Sequence, residues 1–300
     1  MNKENAEIGG VVLTSPDKIL YPELGLTKRE LAEYLQVVAR YMLPFATRHP
    51  LSLVRCPDGI SDKCFYQKHL TARMPDGFKT VTIREKDGGK ADYLYVDSVA
   101  GVIGAAQIGA LELHVWGAPA DDLEHPDRLV FDLDPADDVP FADVKAAAGD
   151  LRAVLDAAGL KSFAMITGGK GIHVIAPLDG KNDWDEVKTF AAGLARSFAE
   201  RDPERFIASA SKAKRKGRIF IDWLRNERGA TAIAPYSPRA RKGAPVATPV
   251  GWSELSRLKT ADAFDTVAIV KRLKKAKSDP WPGYRTRQHI GEATIKAIAS

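Results

Sequence analysis

The chain has 300 residues, 45% of them hydrophobic, and a formal net charge of +5, enough apolar matter for a full globular core. No run approaches the roughly 18 consecutive apolar residues of a membrane span, and MNKENAEIGG lacks the basic-then-apolar order of a secretory leader. A cytoplasmic protein with no membrane partner is therefore expected. Cys56 and Cys64 stand eight apart without CxxC spacing or histidine companions, which argues against a zinc site or a disulfide framework and leaves reduced thiols as the expectation.

Residues 1–10 read as disordered. The first helix is predicted from Thr27, which with Glu30 forms a T-x-x-E capping box, and Leu31, Tyr34, Leu35, Val38 and Met42 recur at helical spacing until Pro44 and Pro50. SLVRCPDG, FKTVTIRE, DYLYVDSV and LELHVWG read as short strands, with a helix over 101–110. From 128 the order becomes strand, helix, strand, strand, helix, strand. RLVFDLDP leads into a helix around 141–158 stopped by Gly159; SFAMIT and IHVIAPL are joined through GGKG; a helix capped near Asn182 or Asp183 precedes the strand RIFIDWL. This order predicts an α+β fold of mixed or antiparallel sheets with helices packed on them around a cleft. A single domain over 1–300 is expected, softly divided into 11–120, a core over 128–250 and a helical, basic tail over 251–300, with a polar boundary near 120–127.

On a strand, Asp132 and Asp134 emerge on one face while Phe131 and Leu133 point to the other. Two carboxylates on one face suit a hard cation, and a third from Asp222 completes a set able to hold two magnesium or manganese ions roughly 3.5 to 4 Å apart for phosphoryl or nucleotidyl transfer. A lone DxD is weak, since acidic pairs often end strands simply to meet water. Here an apolar lead-in and Pro135 place the pair at the end of a buried strand. A haloacid-dehalogenase-like phosphatase would continue close to Gly-Thr where this chain has Pro135 and Ala136, whereas a metal-dependent sugar transferase remains a rival.

TGGKGIH adds discrimination. Gly168, Gly169 and Gly171 permit positive φ and close backbone approach, so consecutive N–H groups can cradle an anion, with Thr167, Lys170 and His173 beside them. A plain hairpin turn needs one or two glycines; the GxxxxGK[ST] spacing of a P-loop is absent. Residues 205–242 hold eleven Lys/Arg against two acids, leaving the remainder at about −4 by difference from the net charge. Such a basic zone is ordinarily a solvated surface; next to Asp222 it points to a polyanionic substrate. Arg225 and Arg239 offer guanidinium forks to phosphate oxygens. Phe65 and Tyr66, followed by Lys68 and His69, read either as a platform for a base or as one core and one rim aromatic. His114, alone on its strand, carries no local signal.

FDLDP, GGKGIHV, FIDWLRN and IAPYSPRARKGAPVATPV, in this order and spacing, resemble the polymerase domain of bacterial DNA ligase D, a branch of the archaeo-eukaryotic primase-polymerase superfamily. The likeness runs from DKILYP at 17–22 to DPWPGY at 279–284. It implies a metal-dependent polymerase and terminal transferase, using manganese or magnesium and adding NTPs or dNTPs to DNA ends or gapped duplexes in non-homologous end joining. A Ku-like end binder and a separate ligase are the implied partners, at the bacterial nucleoid. By position it makes Asp132, Asp134 and Asp222 the metal carboxylates; His114, Thr167, Gly168, Gly169, Lys170, His173, Arg225 and Arg239 nucleotide-binding; Phe65 and Tyr66 the template platform; and Lys18, Lys28 and Arg55 a pocket for a recessed 5′-phosphate. Two positions depart from the family, Thr167 where serine is frequent and Tyr66 where phenylalanine is usual. At 300 residues there is no room for ligase or nuclease domains, so a stand-alone polymerase or an excised one is expected. The alternatives are the sugar transferase and a DNA-end-binding module with idle carboxylates.

Overall fold

The structure, a computed structural model, describes residues 5–71, 74–85, 87–276 and 280–299. They fall into two units: one of the residues up to Trp116 with Ile233–Ala247 and Phe264–Ala276, the other of Gly117–Ala232, Thr248–Ala263 and the C-terminal residues 280–299. Residues 1–4, the start of the stretch expected to be disordered, and Asp279 of DPWPGY lie outside the described residues.

In the first unit, Thr27 Oγ1 accepts from Glu30 N at 3.2 Å while Glu30 Oε2 accepts from Thr27 N at 2.7 Å, the reciprocal bonds of the expected capping box. The helix they start, Lys28–Ala46, buries Leu31, Tyr34, Leu35, Val38 and Met42, each worth roughly 2 kcal/mol of apolar burial. Pro44 does not stop it; the proline sits in the last turn, where its missing N–H removes one bond, and Thr47 N still closes the helix on Leu43 O. The second helix runs Val99–Gln107, started by Ser98, whose Oγ accepts from Gly101 N. Strands Leu51–Arg55, Phe65–Gln67 and Ala110–Trp116 pair antiparallel with Leu51–Arg55 in the middle. Lys79–Arg84 and Lys90–Tyr95 form a separate hairpin.

Two expectations about this unit are corrected. Ala6–Ile8 pairs with Val11–Leu13 through a turn at Gly9 and Gly10, both at positive φ, so the described part of the first ten residues is a hairpin; Val11 and Leu13 are buried. Cys56 and Cys64 form a disulfide. The reason is register: Val54 faces Tyr66 and Arg55 faces Phe65, so the next positions outward bring the two cysteines opposite each other, with Cα atoms 4.3 Å apart. Sequence spacing alone shows no such pairing.

The second unit is built on a six-stranded sheet in the order Phe206–Ile207, Ile219–Asp222, Arg128–Pro135, Ile172–Pro177, Phe163–Ile166, Thr248–Val250. All pairs are antiparallel except the first, which agrees with the α+β expectation. Helix Phe141–Ala157, stopped near Gly159, and helix Trp184–Arg201, capped by Asp183, both pack on the central strand Arg128–Pro135. Gly193 lets the C-terminal helix Glu292–Ala299 close on Trp184–Arg201: a Cβ there would meet Ile298 at 2.4 Å. Phe131 and Leu133 are fully buried, which fixes the opposite face of their strand for Asp132 and Asp134.

Candidate active site

Register assembles the acidic cluster. Asp132 is paired with Asp222 on one neighbouring strand and with His173 on the other, and residues directly opposite in an antiparallel sheet share a face. Asp222, Asp132 and His173 therefore form a row across three strands, with Asp134 two residues along on the same side. His173 Nε2 lies 3.5 Å from Asp132 Oδ2. Asn226, just after Asp222, fixes the central strand: its Oδ1 accepts from Val130 N at 2.8 Å and its Nδ2 donates to Val130 O at 2.7 Å, replacing strand pairing where Ile219–Asp222 has ended.

Cations already stand against these carboxylates. Arg225 Nη2 bridges Asp132 (3.3 Å) and Asp222 (3.0 Å), and Arg215 Nη1 donates to Asp134 Oδ2 at 2.6 Å while its guanidinium covers the Phe220 ring. Burial pushes the Asp134 carboxyl up and the Asp132 charge adds to this; together they outweigh the Arg215 charge and hydrogen bond and the Arg225 charge. Asp222 is raised by burial as well, with Asp132 adding to it against Arg225. Burial alone would lower the Arg225 guanidinium; the charges of Asp132, Asp222 and Asp134 and the Asp132 hydrogen bond outweigh it and raise it. Three carboxylates stand here against two guanidinium groups. Among the described residues no three Asp, Glu, His or Cys side chains converge as a metal site as they stand, because their oxygens are turned toward guanidinium groups. The donor set nevertheless fits a divalent cation: hard oxygens on one face, two of them already sharing one positive group.

The glycine turn lies against the same row. A Cβ on Gly171 would sit 2.5 Å from Leu133 O and 3.3 Å from Asp132 Oδ1, so only glycine allows this approach. Of the three glycines, Gly168 alone has positive φ. Part of the expected anion cradle is used internally: Gly168 N donates to Ala261 O, and Thr167 donates to Gly171 O through both N and Oγ1. Gly169 and Lys170 lie at the tip, with Lys170 Nζ paired to Asp137 and holding that carboxyl below its usual range. His173 Nδ1, Arg215 Nε and Arg225 Nε are buried without a hydrogen-bond partner among the described residues.

The remaining candidates lie in the first unit. His114 and Glu112 alternate on strand Ala110–Trp116 and so share a face. Glu112 Oε2 is 2.7 Å from His114 Nε2, and its Oε1 accepts from Ala240 N at 2.9 Å and lies 3.2 Å from Arg239 Nε. Burial alone would raise the Glu112 carboxyl; the His114 hydrogen bond, the Arg239 charge and the Ala240 N–H outweigh it and bring it to about 2. The Tyr66 ring meets His114 edge-on at 6.3 Å. Phe65 and Tyr66 are 41% and 70% exposed, so neither is a core residue. Arg55 covers the Phe65 ring at 5.4 Å and donates to Ile108 O and to Gln67 Oε1. Lys28 is buried, donating to Thr14 O (2.8 Å) and Gln107 O (3.2 Å); burial, then the Lys18 charge, lowers it. Lys18 pairs with Asp58.

Sequence reasoning missed Glu112, Asn226 and Arg215. Glu112 had a signal in the E-x-H alternation on a strand; Arg215 was hidden in a basic run, and nothing marked it apart from its neighbours.

The sequence matches the family described as LigD, primase-polymerase domain, over residues 27–281. It is 39% identical over 295 residues to the multifunctional non-homologous end joining protein LigD of Pseudomonas aeruginosa, a match covering 98% of this chain and 35% of that protein. To the bifunctional non-homologous end joining protein LigD of Bacillus subtilis it is 28% identical over 278 residues, covering 92% and 44%. The chain thus spans less than half the length of either relative. Among solved structures, the polymerase domain from Mycobacterium tuberculosis ligase D in complex with DNA matches with a TM-score of 0.82 at 31% identity, covering 88% of this chain and 94% of that one.

Proposed function

The chain belongs to the LigD primase-polymerase domain family, and from that premise we propose that it is the nucleotidyltransferase that extends DNA ends across gaps in bacterial non-homologous end joining. The observation that carries this reading is the row Asp222–Asp132–His173 beside Asp134, with a glycine turn pressed so closely on it that Gly171 has no room for a side chain.

In this reading Asp132, Asp134 and Asp222 hold the divalent ions, manganese or magnesium. When bound, these supply Lewis acidity toward the primer 3′-hydroxyl and the leaving pyrophosphate. The protein's own groups position the nucleotide. Lys170, His173 and Arg225 bind phosphate oxygens of an NTP or dNTP, and the buried, unpartnered nitrogens of His173 and Arg225 support this, since buried donors ordinarily have partners. Thr167, Gly168 and Gly169 shape the turn that brings Lys170 to the ligand. His114 and Arg239 are further nucleotide contacts.

DNA is engaged by the first unit. Phe65 and Tyr66, exposed on a hairpin closed by the disulfide, stack under the templating base. Lys28, with two of its three donors on backbone carbonyls, keeps one for a recessed 5′-phosphate, with Lys18 beside it and Arg55 near the pocket. The protein works in the bacterial cytoplasm at the nucleoid, alongside a Ku-like end binder and a ligase. Among the described residues no helix is long and apolar enough to cross a membrane.

The test is primer extension on a gapped duplex with labelled NTPs and either manganese or magnesium. Extension that follows the templating base is expected. Absence of any nucleotide addition under both metals would overturn the reading.

A further inference from the structure

Glu112 is buried and carries three partners, yet nothing in the chemistry of nucleotidyl transfer calls for it. Each oxygen is engaged: Oε2 with His114 Nε2 at 2.7 Å, Oε1 with Ala240 N at 2.9 Å and with Arg239 Nε at 3.2 Å. His114 sits on a strand. Arg239 does not; it lies in the irregular stretch after Tyr236, a residue at positive φ, and before the turn at Gly243. Loop residues drift unless fixed, and the backbone here is held at several points: Tyr21 Oη donates to Arg239 O, Arg239 N donates to Pro245 O, and Ser237 Oγ accepts from Leu113 N. Glu112 acts on the guanidinium itself.

From this geometry we infer that Glu112 is a positioning residue for nucleotide binding: one carboxylate that sets His114 and Arg239 in fixed relation, so that an imidazole from a strand and a guanidinium from a loop meet a polyanion as one preformed unit. The inference rests on the assignment of His114 and Arg239 as nucleotide contacts. Two features support a clasp over a plain structural ion pair. First, Glu112 joins the only two nucleotide contacts assigned to this unit, through different oxygens. Second, an approaching polyanion favours the imidazolium, and one carboxylate against two cations then leaves the trio net positive. Preformed donors cost less to order on binding than mobile ones, so the effect belongs in nucleotide affinity, not in the chemical step.

The experiment compares the wild-type chain with Glu112→Gln, Glu112→Asp, His114→Ala, Arg239→Ala and the His114→Ala/Arg239→Ala pair with and without Glu112→Gln. Steady-state extension, binding of a fluorescent NTP, binding of gapped DNA and thermal melting are read on each. Glutamine keeps the size of the side chain and can still accept from His114, but it offers no charge to Arg239. Glu112→Gln is expected to raise KM for the NTP by about tenfold with kcat changed less than about threefold, the split that marks lost uniform binding. DNA affinity should stay at the wild-type level, and Glu112→Asp should recover part of the loss. In the doubly substituted background Glu112→Gln should add less than about twofold, because its two clients are gone.

If His114→Ala and Arg239→Ala raise KM while Glu112→Gln does not, the clasp is wrong and the nucleotide assignment stands. If neither single alanine moves KM, that assignment fails and takes the clasp with it. Should Glu112→Gln lose its melting transition, Glu112→Asp decides: wild-type KM in the folded aspartate variant overturns the inference.

Discussion

The carboxylates of the two units are used in opposite ways. In the second unit Asp134 and Asp222 lie on a sheet and are pushed up from their ordinary range by burial first and by the Asp132 charge second, against the opposing guanidinium groups. In the first, Glu112 has more positive and donor partners than its charge needs and is held at about 2. A carboxylate row with more acids than guanidinium partners suits the cation proposed for it; a carboxylate saturated by its neighbours suits holding them. The supports differ in the same sense. The row is fixed by strand register, whereas in the first unit Phe65 and Tyr66 sit on a hairpin and Arg239 on a loop, places that need local pins.

The largest expected effect comes from breaking the register support. Asn226→Ala leaves the buried N–H and C=O of Val130 without partners, at about 1 to 3 kcal/mol each, so chemical denaturation should show a loss of roughly 2 to 5 kcal/mol. Nucleotide addition should fall with it although Asn226 meets no substrate in the proposed mechanism. A stable, active Asn226→Ala would mean that the row does not depend on this clamp.

Next is the saturated carboxylate. A glutamate held at about 2 against an ordinary 4.5 contributes stability that is present above the ordinary value and is lost as pH falls through the folded one. The stability difference between wild type and Glu112→Gln should therefore shrink by about 3 kcal/mol between pH 5 and pH 2. A pH-independent difference would remove the contrast with Asp134 and Asp222.

The disulfide closes a loop of nine residues, which corresponds to about 2.5 kcal/mol of unfolded-state entropy. Cys56→Ser/Cys64→Ser should lose about that much in denaturant titration while leaving untemplated addition intact, since the pin lies in the first unit. Smallest is the platform: Phe65→Ala/Tyr66→Ala should cost templated insertion about 1 to 3 kcal/mol per stacked base and spare untemplated addition. A folded double variant with unchanged templated insertion would show these rings in another role.

How much of this the sequence reveals follows the range of the interaction. The Thr27 and Asp183 caps, the apolar face of the first helix and the common face of Asp132 and Asp134 depend on residues a few positions apart, and all are legible. The Cys56–Cys64 bond, the Asp222–Asp132–His173 row and the Glu112 trio depend on which strand lies beside which. Pairing is a property of the folded sheet, so an eight-residue cysteine spacing looks meaningless until Arg55 is seen opposite Phe65. Arg215 is the hardest case, because five basic residues crowd 212–218 and only the fold shows which one reaches Asp134. The sequence marks the glycine turn as a cradle for an anion; the close approach in the structure is to the neighbouring strand, with Gly168 at positive φ and Gly171 without room for a side chain.

The central claim is that the row in the second unit holds metal for catalysis and does not hold the DNA. It is tested most directly by Asp132→Ala, assayed beside wild type for nucleotide addition to a gapped duplex with manganese and for affinity toward the same duplex. The account predicts addition reduced below detection with DNA affinity unchanged within about twofold, because phosphates are held by basic side chains elsewhere. Addition at the wild-type rate, or a parallel loss of both activities in a folded variant, would contradict it.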